Sequence, residues 1–413
     1  RAQATWVPLT RRANTCSLTV VMSSHKNKYC GIGVMTGTSL DGVDLVCAAF
    51  SDATPSAGHG SESPPSCSYE MNQAESLPLP DAWRKRLLVL PSQSASVLAQ
   101  THVDWGHFLG KTVADWVDKH ALEPDFVACH GQTIFHQPEH GFTAQIGDGE
   151  TMVSHLKVPL VTQFRNKDVA LGGQGAPLVP FGERWLLHGH AAFLNLGGMA
   201  NLTVGKRAMD VCVCNMALNR LMQWHDPSCH YDEGGLLAAS GSVDRTLLEA
   251  LESIAWYRTP PPRSLGEEWY QRELEPLLLS HVMPVENRLA TYCEHVAMRV
   301  VASLKSLVET ADSAQSEPTL LVSGGGAHHH YLVTRLEYHL ALQTLPLKLV
   351  VEPALTDFKE ALIFAFLGLQ VLLGRPNVWC SVTGSSMDHL GGSLHLPPEG
   401  GWRLERCAHG GDT

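Results

Sequence analysis

The chain has 413 residues, 44% hydrophobic and 17% charged, more than a single core of ordinary size holds, so two domains are expected. Its 30 Lys and Arg stand against 41 Asp and Glu, a formal net charge of −11. That balance argues against a nucleic-acid partner and points to a small-molecule substrate whose phosphate, if it has one, is held locally. The 11 cysteines are odd in number and scattered from Cys16 to Cys407. Even Cys212-x-Cys214 is one residue tighter than a metal-type C-x-x-C, so they read as reduced thiols, mostly buried, of a cytoplasmic protein. The longest apolar run, Ala361 to Leu373, is too short to span a bilayer and reads as a buried helix of a soluble protein with no membrane partner.

In chain order, residues 1–27 read as a dispensable or unstructured extension. Residues 1–21 carry three arginines and no acidic residue, a composition that also suits a transit peptide. Residues 29–50 read as strand, Gly/Ser/Thr turn, strand, and 51–68 as an exposed low-complexity loop. Helical periodicity follows over 81–120. A short apolar strand then ends at His130-Gly131-Gln132-Thr133, followed by an aromatic hairpin through Phe142 and Ile146. Residues 158–180 begin as a strand and end as an irregular Gly/Pro segment, which at that length is usually functional. Residues 192–204 repeat strand, Gly turn, strand. Helices are expected over 243–257 and 287–309, with a Pro-rich joint at 260–262, and 319–327 reads as strand, Gly turn, helix. The repeated unit predicts two similar α/β domains facing each other across a cleft, 28–185 and 190–396, with a mobile tail at 397–413.

The segment Gly37-Thr38-Ser39-Leu40-Asp41-Gly42-Val43-Asp44 carries the most chemistry. A turn with little bulk lets successive backbone N–H groups approach a phosphate, and the two hydroxyls add donors. Asp41 and Asp44 suit Mg²⁺ beside that phosphate. An ordinary hairpin with Asp-Gly at its bend is the plainer alternative. Gly197 and Gly198 form a second candidate phosphate turn. Gly324, Gly325 and Gly326, at a strand-to-helix junction, suit packing against adenine and ribose or simply a tight turn. Their order is the sequence plan of the actin/hexokinase-like ATPases. No GxxxxGK[ST] and no GxGxxG after a strand is present, which disfavours P-loop and Rossmann nucleotide binding. His328, His329 and His330 would point about 100° apart on a helix and cannot all ligate one ion.

The blocks GIGVMTGTSLDGVD, HGQTIFHQP, FTAQIGDGE, FRNKDVALGGQGAPLVP, FLNLGGMANLT, SGGGA, FKEALIFAFLG and VTGSSMDHLGG, in that order over about 30–396, resemble the signature blocks of the anhydro-N-acetylmuramic acid kinases. The resemblance implies two actin/hexokinase-like (ribonuclease H-like) domains and an ATP- and Mg²⁺-dependent enzyme, with a homodimer as one expected assembly. Such an enzyme opens the anhydro bridge of 1,6-anhydro-N-acetylmuramic acid with water and phosphorylates O6. It implies sugar contacts at His130, Gln132, Thr133, Arg165, Asp168 and Glu360. The residues themselves leave open that Arg165 and Asp168 only pair to fix the Gly-rich segment, that His130 merely ends a strand, and that Glu360 answers a helix dipole. The family's catalytic base opens a D-x-G-P-G-N motif, and Asp210 holds that position here. The motif departs at Cys212-Val213-Cys214, the family's Asp before Phe-Arg is Gln163, and an acidic position four after the motif's Asn is Asn219. A catalytically weakened or dead ATP- or sugar-binding member is therefore the alternative. An actin- or chaperone-type ATPase fits less well with the HGQT and GGQGAPLVP blocks.

Overall fold

The computed structural model describes residues 18–20, 28–37, 40, 42–51, 67–259, 263, 265–308, 317–399 and 404–406. The loop at 52–66, the joint at 260–262, most of the tail, and Thr38, Ser39 and Asp41 of the first turn lie outside the described residues. The strands are β1 (Leu18–Val20), β2 (Lys28–Met35), β3 (Gly42–Ser51), β4 (Tyr69–Pro78), β5 (Phe126–Cys129), β6 (Gln132–Gln137), β7 (Phe142–Ile146) and β8 (Leu160–Thr162). Then come β9 (Ala192–Leu196), β10 (Met199–Val204), β11 (Arg207–Val213), β12 (Thr319–Ser323), β13 (Lys348–Val351), β14 (Ser393–His395) and β15 (Leu404–Arg406).

Two sheets repeat one topology. In the first, ordered β14-β8-β5-β2-β3-β4, the strands β2, β3 and β4 form an antiparallel meander, and β5 and β8 continue parallel from β2. In the second, ordered β11-β10-β9-β12-β13, β9 to β11 form the meander, and β12 and β13 continue parallel from β9. The expected hairpin of β6 and β7 stands apart, and β1 pairs with β15.

β2 and β3 read as near-continuous apolar runs because both faces are covered. One face, with Ile32, Val34, Leu45 and Cys47, packs on Trp105, Leu109 and Val113 of the helix Ala95–Lys119. The other, with Val46, Ala48 and Phe50, packs on the helix Pro353–Leu372. The periodic stretch 81–120 is two helices rather than one, Asp81–Val89 and Ala95–Lys119. Pro91 falls in the 3₁₀ turn between them, where its missing N–H and its ring prevent a continuous helix. Ser94 then caps the second helix by accepting from the Val97 N–H.

The expected boundary of the second domain needs correction. The segment from Pro353 onward does not stay with the second sheet. Its helix lies across β2, β3 and β5, and β14 pairs antiparallel with β8. The reason is composition: that helix is apolar on nearly all sides, and a helix of that kind needs burial all round. It finds the first sheet on one flank and Phe193 and Leu321 of the second sheet on another.

Lys359 of this helix meets Glu183 of the helix Val179–Leu186 at 2.6 Å, with both side chains at most 3% exposed. Removing one partner leaves the other charge buried and unpaired. Lys359→Ala is expected to lower unfolding free energy by about 3–5 kcal/mol in urea denaturation. The double change Glu183→Met with Lys359→Met should recover most of that loss.

Candidate active site

The turn between β2 and β3 is shaped by both of its flanks. Leu40 takes φ +56°, unusual for a residue with a Cβ, and its N–H donates to the Gly37 carbonyl at 3.2 Å. A Cβ at Gly42 would come within 2.7 Å of the Leu77 carbonyl, so only glycine fits there. The side chains of Leu40 and Val43 are buried in the core. Thr36 ties the turn to the next block by donating from Oγ1 to the Gly131 carbonyl at 3.1 Å.

The two later glycine turns touch each other. The Gly197 and Gly198 carbonyls accept from Asn215 N and Cys214 N at 3.0 and 2.8 Å. Gly324, at φ +83°, lies so close to β9 that a Cβ would meet Asn195 Oδ1 at 2.6 Å. A Cβ on Gly326 would meet Leu196 Cβ at 2.7 Å and Asn215 Oδ1 at 2.9 Å, whereas Gly325 is open apart from Asn215. Asn215 links the pair by donating to the Leu196 carbonyl at 2.8 Å. The three histidines that follow diverge. His328 meets Asp357, and His329 turns inward to accept the Leu332 N–H. Among the described residues no three or more His, Cys, Asp or Glu gather as metal ligands.

His130, Arg165, Asp168 and Glu360 come together. A carbonyl only accepts, so His130 Nδ1 carries the proton it donates to the Gly131 carbonyl at 2.8 Å. That leaves Nε2 free to accept from Arg165 Nε at 2.9 Å. Burial, with the Arg165 charge beside it, pushes the His130 imidazole down to about 3, so it is neutral near pH 7. Arg165 also donates to the Gly175 carbonyl at 2.7 Å. Burial lowers it to about 10, opposed by Glu360 and Asp168, and it keeps its charge. Asp168 accepts the Gly175 N–H at 2.6 Å and the Thr383 hydroxyl at 2.6 Å. Arg165 and Asp168 thus grip Gly175 from its two sides, by its carbonyl and its N–H, instead of bonding each other directly.

Glu360 stands where the two sheets meet. It accepts from Asn195 Nδ2 at the end of β9, at 3.4 Å, and it senses Asp44 of β3 and Arg165. Burial raises its carboxyl above the usual range, Asp44 and Glu183 add to the rise, and Lys359 and Arg165 oppose it. On the hairpin, Gln145 donates to Thr143 and Thr133 at 2.8 and 3.3 Å. Gln132 is buried with its Oε1 unpartnered, an acceptor that a bound donor would satisfy.

Asp210 belongs to a different group. One carboxylate oxygen accepts from Asn201 of β10 and the other from Leu265 N at 2.7 Å, while Arg263 bonds its backbone. The structure therefore does not place it among the residues around Glu360. Burial pushes it up from 3.8 to about 6. Because the folded value exceeds the unfolded one, its contribution to stability is present below about pH 4 and is lost as pH rises through about 6. The altered motif has a structural answer: the ladder runs on to Val213, opposite Met199, and Cys212 and Cys214 fill the second core. Proline at 213 would remove a strand N–H, whereas valine suits the extended backbone.

The sequence does not single out Asn195 as a partner of Glu360, although it lies in the FLNLGGMANLT block just before Gly197 and Gly198. Nor does it single out Thr383 and Gln145, which lie in blocks whose composition names no single residue.

A doubled α/β topology with glycine turns and a half-buried charged group at the junction of its sheets is the two-domain plan of the actin/hexokinase-like fold. The family model "Anhydro-N-acetylmuramic acid kinase" matches residues 29–397. The anhydro-N-acetylmuramic acid kinase of Vibrio cholerae serotype O1 is 33% identical over 384 residues, covering 89% of this chain and 98% of that protein. That of Pseudomonas fluorescens is 33% identical, covering 86% and 96%. The chain belongs to the anhydro-N-acetylmuramic acid kinase family and is a sugar phosphotransferase of that family. Solved structures align more loosely. The activator of 2-hydroxyisocaproyl-CoA dehydratase from Clostridium difficile with bound ADPNP gives a TM-score of 0.40 at 10% identity, covering 83% of this chain and 95% of that one. No helix among the described residues is long and apolar enough to cross a membrane.

Asp168→Ala should release Gly175 and expose two donors, lowering unfolding free energy by about 1.5–3 kcal/mol in denaturant titration. Asp168→Asn keeps one acceptor and lets Thr383 accept from its amide, so its loss should be smaller.

Proposed function

We propose that this chain uses ATP and Mg²⁺ to open 1,6-anhydro-N-acetylmuramic acid with water and to phosphorylate O6, giving N-acetylmuramic acid 6-phosphate. The observation that carries the reading is the convergence on one junction of the Gly324 turn, Asn195, Glu360, Asp44 and the Arg165–His130 pair. The glycine turns at 37–44, 197–198 and 324–326 would present backbone N–H groups and open space to the nucleotide. His130, Gln132, Thr133, Arg165 and Asp168 would fix the sugar. Arg165 offers a half-buried cation and Gln132 an unpartnered acceptor.

The acidic pair Asp44 and Glu360 fits a divalent cation, because a cation would relieve the mutual repulsion that helps raise Glu360. Asp44 would hold Mg²⁺ together with Asp41. When bound, the ion neutralises charge on the phosphoryl group in flight. Closure of the two domains would exclude bulk water that otherwise hydrolyses ATP.

In this reading Asp210 takes the proton from the water that attacks the anomeric carbon. The bridge oxygen leaves that carbon as O6 and accepts the γ-phosphoryl group. A carboxylate near 6 is ionised at neutral pH yet more basic than an ordinary aspartate, as a general base requires. A second reading makes Glu360 the base, favoured by its place between Asn195 and Asp44. The weakened-or-dead alternative gains nothing from the family match, which covers the altered motif as well.

The test combines product mass with two isosteric changes. Wild type with ATP-Mg²⁺ should convert the anhydro sugar to a species heavier by one phosphoryl group (HPO₃) and one water. Asp210→Asn should cut kcat by about 10²–10⁴-fold with substrate affinities nearly unchanged. It should also remove the acid limb of the kcat/KM profile near pH 6. Loss in Glu360→Gln with full rate in Asp210→Asn would transfer the role to Glu360. No phosphosugar from any anhydro sugar would sink the enzymatic reading.

A further inference from the structure

Cys30 of β2 and Cys47 of β3 lie on neighbouring central strands of the first sheet. The register sets Cys30 opposite Ala49 and Ile32 opposite Cys47, so the two cysteines are diagonal neighbours on one face of an antiparallel pair. Their sulfurs are in contact at 3.3 Å. Cys47 is 1% exposed and packs among the side chains of that face. Cys30 is half-buried, two residues from the exposed end of β2 at Lys28. An incoming reagent therefore reaches Cys30 first, and Cys47 only through Cys30.

We propose that Cys30 and Cys47 form a dithiol modification site that reacts with small disulfides of the glutathione type and closes to a cross-strand disulfide. The Cys30 thiolate attacks one sulfur of the reagent disulfide, which breaks, and one reduced thiol departs. The mixed disulfide on Cys30 now sits against the Cys47 sulfur. Cys47 attacks the Cys30 sulfur, the mixed bond breaks, and the second thiol departs with the Cys47 proton. The protein loses two hydrogens and the reagent gains them. The sulfurs are already in contact, and because diagonal partners stand farther apart than a relaxed disulfide spans, closing the bond draws the two strands together at this end. The other described cysteines divide into groups that this chemistry serves less well. Cys129, Cys212, Cys214 and Cys293 are buried, so a reagent has no accessible first sulfur there, and Cys229 and Cys380 are partly exposed. Cys67 is buried and donates its thiol to the Ser51 carbonyl.

The site does not depend on the proposed reaction. It lies at the end of β2 and β3 away from the turn, where Met35 faces Asp44. The hairpin would be closed by a covalent ring, and such rings stabilise by restricting the unfolded chain.

Full-length reduced protein is incubated with oxidised glutathione, quenched in acid and mapped by peptide mass. The expected product is a linked Cys30–Cys47 peptide pair, an intact mass lower by two hydrogens, and a higher melting temperature that reductant reverses. Cys47→Ser should stop at the mixed stage and keep one glutathione on Cys30. Cys30→Ser should leave Cys47 unmodified. Stable glutathione on wild-type Cys30, or both thiols unreacted while other cysteines oxidise, would overturn the proposal. The wild-type map decides the matter even if a serine variant folds poorly.

Discussion

Everything at the junction of the two sheets depends on how closely one helix can approach one strand. A Cβ on Gly33 would fall 1.8 Å from the Ala361 carbonyl, so the central strand and the helix Pro353–Leu372 meet backbone to backbone. The residues just before Ala361 inherit their positions from that contact. Glu360 is delivered to Asn195 and the neighbourhood of Asp44, and Lys359 to Glu183. A larger residue at 33 would lift the helix and with it the charged group on which the proposed chemistry rests.

The electrostatics of that group follow from dryness. Arg165 and Glu360 lie half-buried near each other without a direct bond, and each lowers the cost of the other's charge. His130 is held neutral between a carbonyl and the guanidinium, so the arginine keeps its direction without a second positive charge beside it. The irregular stretch 171–178, between the short helix Asn166–Ala170 and the helix Val179–Leu186, is fixed through Gly175, whose carbonyl and N–H are both taken by side chains. A segment without regular structure is made rigid in this way at little cost in length.

Much of this was legible in the sequence, and the limits have physical causes. The strand–turn–strand units stood out because their strands are apolar on both faces and their turns demand glycine. The doubled topology followed from their repetition. The domain boundary was misplaced because periodicity reports that a helix is buried, not which sheet buries it. The long periodic stretch hid its break because one proline alters the helix while leaving the apolar spacing intact. Glu360 and Arg165 were identifiable as candidates, but their partners Asn195 and Gly175 were not, since those contacts join positions far apart in sequence or use backbone atoms that every residue carries. Asp210 shows the opposite case. A motif position marked it, yet its neighbours in space are Asn201 and Leu265 rather than the junction group.

The path of the chain has a consequence for biosynthesis. The first sheet is built by β2 to β5 and β8, left for the whole of the second, and completed only when the helix Pro353–Leu372 and β14 return. On the ribosome the early strands must wait with one apolar face uncovered while the entire second unit is translated. Long-range closure of this kind slows folding and leaves hydrophobic surface open to wrong partners. Nascent chains paused before residue 353 should therefore engage chaperones through the face that carries Val46, Ala48 and Phe50, and release them once the returning helix has cleared the exit tunnel.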